Sequence, residues 1–158
     1  MEQKLKIDKI RDGTVIDHIP AGRALIVLKI LGISGRESNV ITVAMNVKSK
    51  KFGKKDIIKI ENRELTMEEV NKIALIAPSA TINIIRDFNV IEKRKVKVPE
   101  TIYNLIKCPN PRCISNKENE PITPIFHLKS ESPLTLVCNY CGEIIPSDWV
   151  VKSLTRGL

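Results

Sequence analysis

Four cysteines, all beyond residue 107, constrain this chain more than any other feature. Cys108 and Cys113 are separated by four residues, Cys138 and Cys141 by two, and 24 residues lie between the two pairs. Two short knuckles joined by enough chain for a hairpin can close four thiolates around one tetrahedral Zn²⁺. A shell of four protein sulfurs leaves no position for water or substrate, so the expected role of the metal is structural. A redox pair at Cys138 and Cys141 would leave the other two without a purpose. An iron centre of rubredoxin type is the remaining chemical alternative, and neither His18 nor His127 has the spacing of a better ligand. Between the knuckles, Ile125, Phe126, Leu128, Leu134, Leu136 and Val137 can build a small β-rich core, covered by Trp149, Val150 and Val151.

Two disulfides would use the same four residues, and the expected compartment decides against them. The N-terminal stretch MEQKLKI has no positive segment followed by an apolar one, and unbroken apolar runs stop at five residues, as in Ala24 to Leu28. Neither an export signal nor a membrane span is expected. The chain is therefore expected in the cytoplasm, where thiols stay reduced and such clusters bind metal.

At 158 residues the chain fits two small domains, and the cysteine-free part ends close to Pro99. The division is placed at 1–98 and 99–158. In the first part, Leu5, Ile7 and Ile10 read as a half-buried strand. Pro20 precedes a helix over Ala21 to Leu31, with Ala24, Leu25, Leu28 and Leu31 on one face and Gly32 as its stop. Val40 to Val47 and Ile57 to Glu61 read as strands by β-branched content. Thr66 to Glu69 is a T-x-x-E capping box, and Leu65 with Val70 can form its staple, so a second helix runs to Pro78. Thr81 to Ile85 is another strand, and Phe88 to Val96 continues extended. The order β, α, β, β, α, β is the ferredoxin-like split βαβ pattern, an α+β antiparallel sheet with two helices on one face. That fold hosts many functions and names none.

Three segments carry a closer likeness. Gly13-Thr14-Val15-Ile16-Asp17-His18-Ile19-Pro20, Lys55-Asp56-Ile57-Ile58-Lys59-Ile60-Glu61-Asn62 and Cys108-Pro109-Asn110-Pro111-Arg112-Cys113-Ile114-Ser115 occur in order over nearly the whole chain. Together they closely resemble the regulatory chain of aspartate carbamoyltransferase. The resemblance implies a non-catalytic subunit of pyrimidine biosynthesis, with an N-terminal allosteric nucleotide-binding domain and a C-terminal zinc domain that docks on the catalytic chain. It also implies pairing of regulatory chains as homodimers, three of which bridge two catalytic trimers, and control by CTP, UTP and ATP.

Carried over by position, the resemblance places Asp17 on the nucleotide, where its carboxylate accepts ribose hydroxyls. His18 and Lys93 face phosphates, and Lys59 reaches ribose or phosphates. Ile10 presents backbone groups to the base, while Asn83, Ile85, Phe88 and Val90 line the pocket. Lys95 stands where some members carry arginine, which keeps the charge and loses the bidentate fork. The expected partner interface is the loop Pro109 to Arg112 with the second knuckle around Tyr140. Asn110 matches a family interface position, whereas Arg112 stands where members carry asparagine.

The formal charge of +8 and a pI near 9.4 favour anionic partners. A basic zinc-ribbon protein that binds nucleic acid is the alternative reading. Acidic residues mixed among the lysines and only six aromatic residues count against it, so nucleic acid and membranes are not expected partners. A small-molecule enzyme would have to use Asp17 with His18, and neighbours on a regular strand point to opposite faces. No catalytic residue is assigned.

Overall fold

The computed structural model describes residues 9–50 and 53–156. Its elements are β1 (Gly13–Pro20), α1 (Ala24–Ile30), β2 (Ile41–Ser49), β3 (Gly53–Glu61), α2 (Met67–Ile76), β4 (Thr81–Arg86) and β5 (Asn89–Lys95). These are followed by β6 (Thr101–Tyr103), a 3-10 turn at Ile114–Asn116, β7 (Ile125–Glu131), β8 (Leu134–Cys138), β9 (Ile144–Pro146) and α3 (Ser147–Thr155).

The five strands among the first seven elements form an antiparallel sheet in the order β2-β3-β1-β4-β5. Strands β1 to β4 with their two helices have the expected split βαβ arrangement, and β5 adds a fifth strand at the edge. The remaining strands make a second antiparallel sheet, β6-β7-β8-β9. On the first sheet, Ile16, Ile58, Ile60 and Ile82 turn inward against Ala24 and Val27 of α1 and Ile73 and Ala74 of α2. An aliphatic sequence packs this layer without aromatic help. Gly13 opens β1 at φ +143°, and a Cβ there would lie 2.1 Å from the Ile60 carbonyl oxygen, so only glycine lets β1 meet β3.

The strand expected at Leu5 to Ile10 falls mostly outside the described residues; Lys9 and Ile10 are not in a strand, and the first strand is Gly13–Pro20. Helix α1 is shorter than expected and rotated. Ala24, Val27 and Ile30 are buried, whereas Leu25 is 56% exposed. The cause is a fully buried carboxylate. Asp56 Oδ2 accepts the backbone N–H groups of Gly22 (2.9 Å) and Ala24 (3.1 Å), which sets where α1 begins and hence its phase. Its Oδ1 accepts the Asn46 N–H at 2.9 Å, where Asn46 takes φ +60° and β2 bulges. One side chain on β3 thus ties a helix start to an edge-strand bulge.

Helix α2 starts as expected. The Thr66 N–H donates to Glu69 Oε1 at 3.0 Å, and the Glu69 N–H donates to Thr66 Oγ1 at 3.2 Å. Helix α3, which the sequence reading did not include, packs against α2 and α1 and buries Val150 and Leu154. Val98, Ile102 and Ile106 carry the core from the first sheet to Phe126, Leu136 and Ile145 of the second, so the two sheets share one continuous apolar interior.

Replacing Asp56 by alanine orphans three backbone N–H groups and is expected to destabilise the fold by about 3 kcal/mol or more. Asn, which retains one acceptor, is expected to cost less. Equilibrium denaturation of the two variants checks the order.

Candidate functional site

The second sheet delivers the cysteines. Strand β8 ends in Cys138, and the turn after it returns Cys141 through Gly142 at φ +75°, with the Gly142 N–H donating to the Cys138 carbonyl at 3.1 Å. The other knuckle is a tight loop. The Cys113 N–H donates to the Asn110 carbonyl at 3.0 Å, and Asn116 Nδ2 donates to the carbonyls of Cys108 (2.9 Å) and Asn110 (2.7 Å).

All four sulfurs lie within 4.8 Å of one another, and three of the four cysteines are buried. Cys108 Sγ is 3.6 Å from Cys141 Sγ, and Cys113 Sγ is 3.7 Å from Cys138 Sγ. These separations exclude disulfides, whose S–S length is about 2.0 Å. They match the edges of about 3.8 Å of a tetrahedron with metal–sulfur bonds of about 2.3 Å. The donor set therefore fits a single tetrahedral metal ion.

Burial pushes the Cys108 and Cys138 thiols up from the ordinary value. At Cys141 burial acts in the same direction, but the Glu143 backbone, the Asn110 side chain and the neighbouring cysteines outweigh it and bring that thiol down to about 7. Backbone N–H groups of Asn110, directed at Cys108, and of Tyr140 and Cys141, directed at Cys138, favour the thiolates. A bound cation completes that preference, because metal and proton compete for the same sulfur lone pairs.

The residues expected to meet a nucleotide lie on the first sheet, and strand register gathers most of them on the face away from the helices. Lys59 is opposite Val15, Val15 opposite Asn83, and Asn83 opposite Lys93, so one row crosses four strands. The neighbouring row runs from Asp17 through Thr81 to Lys95. On the other side, Gly13 is opposite Ile85, which is opposite Val90. Ile10 is buried just before β1, and the next residue accepts the Phe88 N–H through the Arg11 carbonyl at 2.9 Å. Phe88 itself lies in the β4–β5 turn at φ +65°, exposed. This arrangement is an open face. The groove lined by Leu65, Ile84, Ile91 and Arg94 opens on the helix side of β4 and β5 and contains none of these residues.

His18 departs from regular alternation. Strand β1 bulges between Ile16 and Ile19, His18 takes φ +57°, and its Nδ1 lies 3.2 Å from Thr81 Oγ1, on the side where Asp17 projects. The opposite-faces expectation for Asp17 and His18 fails here because the bulge resets the pleat. Lys55 and Thr81 join the face without having been anticipated. Lys55 Nζ lies 2.9 Å from Asp17 Oδ1. Strand parity with Lys59 was the available signal, since residues 55, 57 and 59 share a face.

At the expected partner surface, Asn110 is committed to its own loop, its Oδ1 accepting the Arg112 N–H at 3.0 Å. Arg112 is exposed. The Tyr140 hydroxyl donates to the Thr123 carbonyl at 2.7 Å, and the residue remains exposed.

A ferredoxin-like sheet joined through a continuous core to a four-cysteine module defines a two-part α+β chain with a metal-binding module. Residues 5–97 match the family model described as aspartate carbamoyltransferase regulatory chain, allosteric domain, and residues 100–151 match the metal binding domain of the same chain. Proteins named aspartate carbamoyltransferase regulatory chain are similar over almost the full length. That of Korarchaeum cryptofilum is 56% identical over 155 residues, covering 98% of this chain and 99% of its own. That of Thermofilum pendens is 58% identical (98% and 97% covered), and that of Thermococcus kodakarensis is 51% identical (98% and 100%). The chain belongs to the aspartate carbamoyltransferase regulatory chain family, a non-catalytic subunit associated with the catalytic chain. Among the described residues, no helix is long and apolar enough to cross a membrane.

Cys108→Ser is expected to abolish stoichiometric metal binding, measured by metal analysis of the purified chain. Because the buried thiols hold protons tightly, acidification is expected to release the metal and alkaline pH to retain it. A metal content independent of pH and of Cys108 contradicts the assignment.

Proposed function

We propose that the chain binds nucleotide effectors on the open face of its N-terminal sheet and transmits their effect to the catalytic chain through a zinc-held C-terminal module. The boundary is 98/99, with residues 1–98 the allosteric domain and 99–158 the docking domain. The observation that carries the reading is the row Lys59, Asn83 and Lys93 beside Asp17 and Lys95. Cations for phosphates adjoin an acceptor for ribose hydroxyls, and Ile85 with Val90 supplies an apolar end for a base. CTP, UTP and ATP are the proposed effectors.

Zn²⁺ is the proposed ion, held by Cys108, Cys113, Cys138 and Cys141. It supplies cross-linking and no reaction step, joining two segments whose Cys108 and Cys138 lie 30 positions apart. The rigid knuckles then present Arg112 and Tyr140, with Asn110 shaping the first loop, to the catalytic chain. Regulatory chains pair as homodimers in the cytoplasm and bridge two catalytic trimers. Effectors act by binding the two quaternary states with different affinity, since equal affinity would shift nothing.

Lys93→Ala is expected to weaken triphosphate binding about tenfold, as loss of a charge-assisted contact does, and to leave nucleoside binding unchanged. Calorimetric titration of the full chain with CTP and cytidine measures both. In the assembled enzyme, aspartate saturation curves that do not move with CTP or ATP contradict the transmission claim.

A further inference from the structure

Four thiolates around a dication keep a net negative charge, and three of the four cysteines are buried where water offsets little of it. Hydrogen bonds to the sulfurs take over that task. At three positions the donor stands two residues further along the chain. The Asn110 backbone N–H serves Cys108, that of Tyr140 serves Cys138, and that of Glu143 serves Cys141. Cys113 instead leads into the 3-10 turn Ile114–Asn116, where the residue two further on is Ser115. Ser115 Oγ lies 3.0 Å from Cys113 Sγ. A metal-bound sulfur carries no proton, so the hydroxyl is the donor and the thiolate the acceptor.

The turn that aims this hydroxyl is fixed at its far end. The Asn116 N–H donates to the Cys113 carbonyl at 2.9 Å, and Asn116 Nδ2 holds the carbonyls of Cys108 and Asn110. Ser115 is half-buried, and Cys113 is only 2% exposed, so solvent is a poor substitute for the hydroxyl at that sulfur.

We infer that Ser115 is a positioning residue for the metal: its hydroxyl orients the buried Cys113 thiolate and stabilises its charge, so that the ion is held more tightly. The inference rests on the reading of the four cysteines as a metal site. Removing an outer partner of this kind typically changes metal affinity about 10- to 100-fold.

The test uses the full chain, stripped of metal and titrated with Zn²⁺ in competition with a chromophoric chelator. A second sample is loaded with Co²⁺, whose sulfur-to-metal charge-transfer bands report the electron density on the thiolates. Ser115→Ala is expected to bind Zn²⁺ about tenfold or more weakly. Its Co²⁺ bands are expected at lower energy, because a thiolate without the hydrogen bond gives up electron density more readily. Ser115→Thr, which keeps the hydroxyl, is expected to restore both. A purely structural role for the serine would lower the melting temperature and leave the Co²⁺ bands where they were. Wild-type Co²⁺ bands in Ser115→Ala therefore overturn the positioning role, whatever the Zn²⁺ affinity of that variant. Failure of the wild-type chain to bind either ion overturns the metal reading and this inference with it.

Discussion

Four sulfur atoms within 4.8 Å of one another are a poor arrangement of thiols and a good arrangement of metal ligands. Burial resists ionisation at Cys108 and Cys138, and four neighbouring thiolates would repel, so the cluster needs a cation to be worth forming. The sheet around it is small: Phe126, Leu136 and Ile145 are its fully buried strand residues beside Ile102 of β6. A core of that size is marginal, and metal ligation is the usual supplement. The shape of the knuckles, and with it the surface carrying Arg112 and Tyr140, follows from this coordination.

The metal module is not an isolated appendage. Val98, Ile102 and Ile106 extend the first core into the second, and α3 lies against α1 and α2, the helices that back the lysine-bearing sheet. Strand β3 is anchored on both sides of the sheet, because its adjacent Lys55 and Asp56 face opposite ways. Lys55 holds Asp17 on the open face, and Asp56 holds the start of α1 and the β2 bulge on the other.

Much of this was legible from residues alone. The cysteine spacing, the Thr66 capping box and the order of elements are local signals, and each survives in the structure. The open face was legible only in part, because pairing register is non-local: nothing near Lys59 says that it is level with Asn83 and Lys93. The phase of α1 was lost because Ala24 to Leu28 is apolar on every side, and the deciding group is Asp56, more than 25 positions later. Helix α3 hides for a related reason. Ser147 to Thr155 has no side-chain cap and includes β-branched residues, and it is held by burial of Val150 and Leu154 and by Trp149 Nε1 donating to the Lys107 carbonyl at 2.7 Å. The bulge at His18 likewise has no glycine to announce it.

The central claim is that the metal-held module joins this chain to a catalytic partner. It is tested most directly by light scattering on the purified chain mixed with the aspartate carbamoyltransferase catalytic trimer from the same source, with the metal in place and after its removal by a chelator. The account predicts an assembly with the mass of two trimers and three regulatory dimers, which forms with the metal and dissociates without it. An assembly indifferent to the metal, or none with the metal bound, would contradict it.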